Sequence, residues 1–151
     1  KQPRCAEAYV GRGLGYFARN QLDLAIKDYT DAIAIDAADY VAYYNRGLAY
    51  LYKIEFDKAI ADFSKVIELQ PTMIQAYTNR AFVKIIKKDY QSAITDLKKA
   101  LTIDANNFDA NYNLAGAYLA LGDKKKALYY NNIALKINPN DTRALEQRKK
   151  L

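Results

Sequence analysis

Residues able to do chemistry are scarce in this 151-residue chain. It has no histidine, which removes the commonest general base and metal ligand. Its single cysteine, Cys5, can complete neither a thiolate metal site nor an internal disulfide. Carboxylates are plentiful, but they scatter over helix surfaces, and none recurs with the apolar flanks that raise a carboxyl pKa for acid–base work. Gly11-Arg12-Gly13-Leu14-Gly15 has the glycine density of a phosphate-cradling loop, yet no alternating strand pattern precedes it. These residues predict a protein that is not an enzyme and uses no cofactor and no metal.

One polar pair does recur. Arg12 with Asp28, Arg46 with Asp62 and Arg80 with Asp96 each stand sixteen residues apart, and the pairs follow one another every 34 residues. At the fourth occurrence both members are gone together, leaving Leu114 and Tyr130. Each arginine lies within one turn of a small residue, and each aspartate lies three after an alanine, so the pair is placed to bridge two helices. It reads as an ion pair between helices rather than a ligand site.

The elements that position these residues are laid out most clearly from Tyr40 to Met73. Tyr43, Gly47 and Tyr50 fall at helical spacing, Ala59, Phe63 and Val66 do the same, and Pro71 closes the unit. The spacing predicts helices over 40–53 and 56–69, joined by a turn too short for anything but an antiparallel hairpin. Shifting by 34 residues carries Gly47 onto Gly13, Ala81 and Ala115, and Ala59 onto Ala25, Ala93 and Ala127. The first helix of the first unit should be weak, since Gly11, Gly13 and Gly15 each cost roughly 1 kcal/mol against alanine. Lys84 replaces the tyrosine of the other units, which predicts a looser third seam. Asn111 and Asn131 replace aromatic positions in the fourth, as terminal repeats deviate where a neighbour is lacking.

This period, with a small residue in the first helix and an alanine twelve later, resembles the tetratricopeptide repeat. The resemblance covers four units, 6–39, 40–73, 74–107 and 108–141. It implies an all-α fold, a right-handed superhelical solenoid of antiparallel helix pairs. Residues 142–151 begin a fifth first helix in phase, with Lys149 where the small residue should stand, and read as a polar capping helix or a repeat cut short. Residues 1–5 carry no repeat signal, open without a methionine and are expected to be a disordered or processed end.

In that family the first helices line a concave face, which implies contact positions here. They are Val10, Leu14 and Phe17 in the first unit, then Tyr44, Asn45, Leu48 and Tyr52 in the second. The third supplies Thr78, Asn79, Phe82 and Ile86, and the fourth Tyr112, Asn113 and Leu119. Asn45, Asn79 and Asn113 form a ladder at the repeat period, and an asparagine amide offers both donor and acceptor to an extended peptide backbone. The implied function is a scaffold binding a protein or peptide partner. Tyr44-Asn45-Arg46 and Thr78-Asn79-Arg80 also resemble segments of co-chaperones that clamp acidic chaperone tails. That clamp needs a lysine and an asparagine on the preceding first helix, where this chain has Val10 and Leu14, and a lysine and an arginine on the following one, where it has Gln75 and Asn79. Without those cations a desolvated carboxylate is unpaired at a cost of several kcal/mol, so an ordinary carboxylate clamp is not expected. The alternative is a structural or self-assembly module within a longer polypeptide, in which another copy or a flanking segment fills the groove.

Composition adds bounds rather than function. With 51% hydrophobic and 26% charged residues, the chain can bury a continuous core as one solenoid. No apolar run approaches the roughly 18 residues of a membrane span. The solitary cysteine favours a reducing compartment or a tolerated free thiol, which leaves the localisation unknown with the cytoplasm favoured. The net charge of +6 is uneven: −3 over residues 6–39, 0 over 40–73, +3 over 74–107, +1 over 108–141 and +3 over 142–151. RNA binding through the basic half is the third reading. It is weaker, because the lysines fall in turns and on second helices, where charge is usually solvated surface.

Overall fold

The computed structural model describes residues 5–151, and among them every regular element is a helix. Four pairs of alternating length follow one another: α1 (Ala6–Ala18) with α2 (Leu22–Ile35), α3 (Tyr40–Tyr52) with α4 (Phe56–Leu69), α5 (Ile74–Ile86) with α6 (Tyr90–Ile103), and α7 (Phe108–Ala120) with α8 (Lys124–Ile137). A short α9 (Thr142–Arg148) closes the described chain. The helices expected over 40–53 and 56–69 are found within a residue. The glycine-rich stretch is interior to α1, so it is a helix and not a phosphate loop. Disorder expected over residues 1–5 lies outside the described residues except at Cys5, which takes the N-cap place of α1. No helix among the described residues is long and apolar enough to cross a membrane.

The chain divides into two units, one ending at Ala76 and the other running from Tyr77 to Leu151. In the first, α1 lies against α2, α2 against α3 and α3 against α4. Its core gathers Tyr9, Ala25, Tyr29, Ala32, Ala42 and Ala49. In the second, α6 lies against α7, α7 against α8, and α8 against α9. Ala93, Leu97, Ala110, Leu114, Ala127 and Ala144 are fully buried there. The recurring alanines let neighbouring helices approach closely, because a methyl is the largest side chain that such a contact admits.

Within each pair the connection is the same device. Asn20, Ile54, Lys88 and Gly122, 34 residues apart, all take the left-handed conformation, with φ of 58°, 62°, 64° and 83°. The following amide reaches back to the end of the first helix, as Gln21 N–H does to the Tyr16 carbonyl at 2.9 Å and Asp123 N–H to that of Tyr118 at 2.9 Å. Both helix-end carbonyls are thereby satisfied and the chain is reversed in three residues. At the start of α3, α7 and α9, Asp39, Asn107 and Asp141 accept from the third residue on, at 3.1, 2.9 and 3.0 Å. Each cap meets an amide that has no partner inside its helix.

Candidate functional site

The three arginine–aspartate pairs are real and alike. Arg12 donates from Nε and Nη2 to the two oxygens of Asp28 at 2.8 and 2.7 Å, Arg46 to Asp62 at 2.8 and 2.8 Å, and Arg80 to Asp96 at 2.8 and 2.6 Å. The aspartates are almost wholly buried, and two-pronged geometry is what makes such a pair tolerable away from water. Hydrogen bonding to the carboxylate, with the charge attraction behind it, raises the Arg12 and Arg46 pKa values above their already high range. Arg46 lies 5.6 and 5.8 Å from the rings of Tyr43 and Tyr50, and Arg12 keeps the same two seats with Tyr9 and Tyr16. With carboxylate and rings both engaged, these pairs serve to bind helix to helix.

Lys84 corrects the expectation of a looser seam. It stands in the place of Tyr16 and Tyr50, and its Nζ donates to Asp96 at 2.8 Å, adding a second cation to the third pair. The fourth repeat solves the same place without charge: Leu114 is fully buried, and Tyr118 stacks on Tyr130 at 5.7 Å and 4°.

Sequence reasoning missed the role of Asn131. This residue is fully buried on α8, where the other repeats hold Tyr29, Phe63 and Leu97. Its amide donates to the Ala144 carbonyl at 2.9 Å and to Gln147 at 2.8 Å, while its oxygen accepts from Arg148 at 2.8 Å. Gln147 in turn donates to the Tyr112 carbonyl at 3.2 Å. A fully partnered polar knot therefore fastens α9, and Arg148, in phase with Arg12, Arg46 and Arg80, supplies the signal that was available in the sequence.

The first-helix positions fall into two groups. In the first unit, Leu14 and Val41 are exposed beside a cleft of about 510 Å3 that Val10, Asp36 and Asp39 also line. Tyr52 is 65% exposed and meets Phe17 edge-on at 5.5 Å. Tyr44 leans on Phe63 at 6.0 Å, and Leu48 is half-buried. The Asn45 amide donates to the Val41 carbonyl of its own helix at 2.9 Å, which leaves its oxygen as acceptor. In the second unit, Phe82 and Ile86 are 43% and 42% exposed, and Asn79 and Asn113 are half-buried. Tyr112 stacks on Phe108 at 5.9 Å, lies 5.2 Å from the Arg143 guanidinium and, with Leu119, lines a cleft of about 530 Å3 against α9. Val10 and Thr78 are buried, and Val10 still forms part of the wall of the first-unit cleft.

Models of the tetratricopeptide repeat match residues 40–73 and 84–150, and a model of the same repeat matches residues 13–53. The chain belongs to the tetratricopeptide repeat family. Solved structures of similar fold agree. A crystal structure of MamA superposes with a TM-score of 0.85 at 24% identity, over 89% of this chain and 79% of that one. The Pseudomonas aeruginosa pilF structure gives 0.85 at 23%, over 97% and 67%. The first tetratricopeptide domain of Spaghetti (RPAP3), bound to the HSP90 peptide SRMEEVD, gives 0.75 at 27%, over 78% and 93%. No curated protein is similar enough in sequence to count as a relative. The tetratricopeptide repeats here are thus members of a family of protein-interaction modules.

Proposed function

We propose that this tetratricopeptide chain is a non-catalytic scaffold that holds an extended peptide against its first helices. The supporting observation is that each unit leaves apolar side chains exposed on a first helix that also carries a half-buried asparagine: Tyr52 on the helix of Asn45, and Phe82 and Ile86 on the helix of Asn79. Apolar surface supplies affinity, and the asparagine oxygens accept peptide N–H groups whatever the peptide sequence. Spaghetti's bound peptide ends in acidic residues. A like clamp is not proposed here, because the first-unit cleft is lined by Asp36 and Asp39 and by no cation.

The test uses an array of random extended peptides, with the best binder measured by fluorescence anisotropy. Asn113→Ala removes a hydrogen bond worth about 0.5 to 1.5 kcal/mol and should weaken that peptide several-fold with an unchanged melting temperature. Phe82→Ala should weaken it through lost apolar contact, and Lys136→Ala, on a second helix, should not. Equal affinity in Asn113→Ala and Phe82→Ala would leave the first helices without a ligand role.

A further inference from the structure

The second unit carries another cleft, of about 540 Å3, where α6, the end of α7 and the start of α8 meet. Its lining includes none of the first-helix contact positions. Tyr118, 6% exposed, forms the floor, held flat against Tyr130. Lys98 Nζ lies 5.9 Å and Lys126 Nζ 5.3 Å from the Tyr118 ring centre. Ile94 and the exposed Leu121 supply apolar wall. Asp123 is the single carboxylate of the lining, and it is spent: it accepts from the Lys126 amide at 3.1 Å as the α8 cap and lies 3.8 Å from Lys126 Nζ. Lys98 has no carboxylate among the described residues. Its pKa is raised by hydrogen bonding to the Tyr118 hydroxyl, so its charge is retained.

The repeat supplies an internal comparison. Two periods earlier, in the first unit, the same positions hold Asp23, Thr30, Tyr50, Lys53, Glu55 and Lys58. There the chain fills the cleft itself. Asp23 reaches across to Lys53 at 2.5 Å, and Glu55 takes both Lys53 and Lys58 at 3.5 and 3.2 Å. On the same rim Lys27 is held by Asp31 at 2.8 Å. Lys58 keeps its seat over the tyrosine ring, 5.4 Å from Tyr50. In the second unit Gln91 replaces Asp23, Leu121 replaces Lys53, Thr95 replaces Lys27, Lys98 replaces Thr30 and Lys99 replaces Asp31. Two carboxylates have been withdrawn while as many cations remain, and an apolar side chain is exposed where the bridge stood.

We propose that this cleft docks an acidic segment of a partner protein, with a carboxylate between Lys98 and Lys126 and an apolar side chain against Ile94 and Leu121. Charge complementarity selects the occupant. The segment's carboxylate takes up the role that Asp23 plays in the first unit, and the field of the whole unit assists its approach. Residues 77–151 hold fourteen lysines and arginines against seven aspartates and glutamates, a net +7, whereas residues 1–76 hold nine against ten, a net −1. The apolar wall favours a peptide over a nucleic acid strand, since no aromatic face in the cleft is open for a base to stack on.

The experiment is fluorescence anisotropy on the full chain with three labelled probes: Glu-Asp-Leu-Glu-Asp, Lys-Lys-Leu-Lys-Lys and a short oligothymidylate. The acidic peptide alone should bind, with an affinity that falls about tenfold from low to physiological salt. Lys98→Thr, which installs the first-unit residue, should weaken it about fivefold. Gln91→Asp with Leu121→Lys rebuilds the first-unit bridge at unchanged net charge. It should abolish binding while the melting temperature holds or rises. Tyr112→Ala, in the first-helix groove, should leave the acidic peptide unaffected. The proposal is overturned if the rebuilt bridge binds as well as the parent, if oligothymidylate binds more tightly than the peptide, or if no probe binds at low salt.

Discussion

At Gly13 and Gly47 the absence of a side chain is set by the ring beneath. A Cβ on Gly13 would stand 2.6 Å from Tyr29 Cε1, and one on Gly47 would stand 2.9 Å from Phe63 Cε1. The third and fourth repeats pair an alanine with a smaller residue instead, Ala81 with Leu97 and Ala115 with Asn131, so the two positions share a fixed volume between them. Tyr29 fits that volume with a cost that Phe63 lacks. It is fully buried, and its hydroxyl has no hydrogen-bond partner among the described residues. Burial, reinforced by the neighbouring Asp28, pushes that hydroxyl up to about 12. The folded state therefore keeps the proton that the unfolded chain releases near pH 10, and stability is full below about 10 and falls as pH rises towards 12. Tyr29→Phe should gain about 1 kcal/mol at neutral pH, where an unmet buried polar group is removed. It should also flatten the alkaline limb of stability. Urea melts at pH 7 and at pH 11 check both, and a loss of stability at pH 7 would mean that the hydroxyl has a partner in solution.

At the scale of elements, the left-handed turn residue is the point where local sequence and fold disagree. Asn20 and Gly122 suit φ near +60°, but Ile54 is β-branched, 72% exposed, and held at φ 62°. Its hairpin is closed by the neighbouring bonds, Ile54 N–H to Leu51 at 3.0 Å and Glu55 N–H to Tyr50 at 2.9 Å, so the strain is carried rather than relieved. Ile54→Asn, the choice of the first repeat, should stabilise by roughly 1 kcal/mol, read as a rise in melting temperature. Ile54→Val should give no gain. The turn was not legible beforehand, because Asn20, Ile54, Lys88 and Gly122 share no chemistry; the short helix-to-helix reach imposes their conformation. Helix bounds were legible, since the small residues and alanines recur wherever two helices touch. The arginine–aspartate bridges were legible from their joint loss at Leu114 and Tyr130. Lys84 and Asn131 were not, because their partners, Asp96 on the facing helix and the Ala144 carbonyl on α9, depend on reach and backbone placement that spacing does not encode. Among the first-helix positions, spacing found the helix but not the burial of Val10 and Thr78.

Across the whole chain, one junction is solved in two ways. Three repeats join first helix to second through a buried ion pair, and the fourth does so through Leu114 and a Tyr118–Tyr130 stack. Repeat arrays let such local solutions be exchanged, because each junction answers mainly to its own pair and nearest neighbours. The second repeat already holds the stacking partner, since Tyr50 stands where Tyr118 stands in the fourth. Asp62→Tyr alone should destabilise by about 2 to 3 kcal/mol, because it strands a guanidinium whose side chain is only 18% exposed. Adding Arg46→Leu should recover most of that loss, with the introduced leucine and tyrosine taking the roles that Leu114 and Tyr130 play in the fourth repeat. Arg46 also donates to Thr30 at 3.1 Å, so a residue of the loss should persist as the missing tie to α2. A double-mutant cycle by urea denaturation reads the coupling directly. Strictly additive losses would show that the apolar junction depends on the fourth repeat's own surroundings and does not travel along the array.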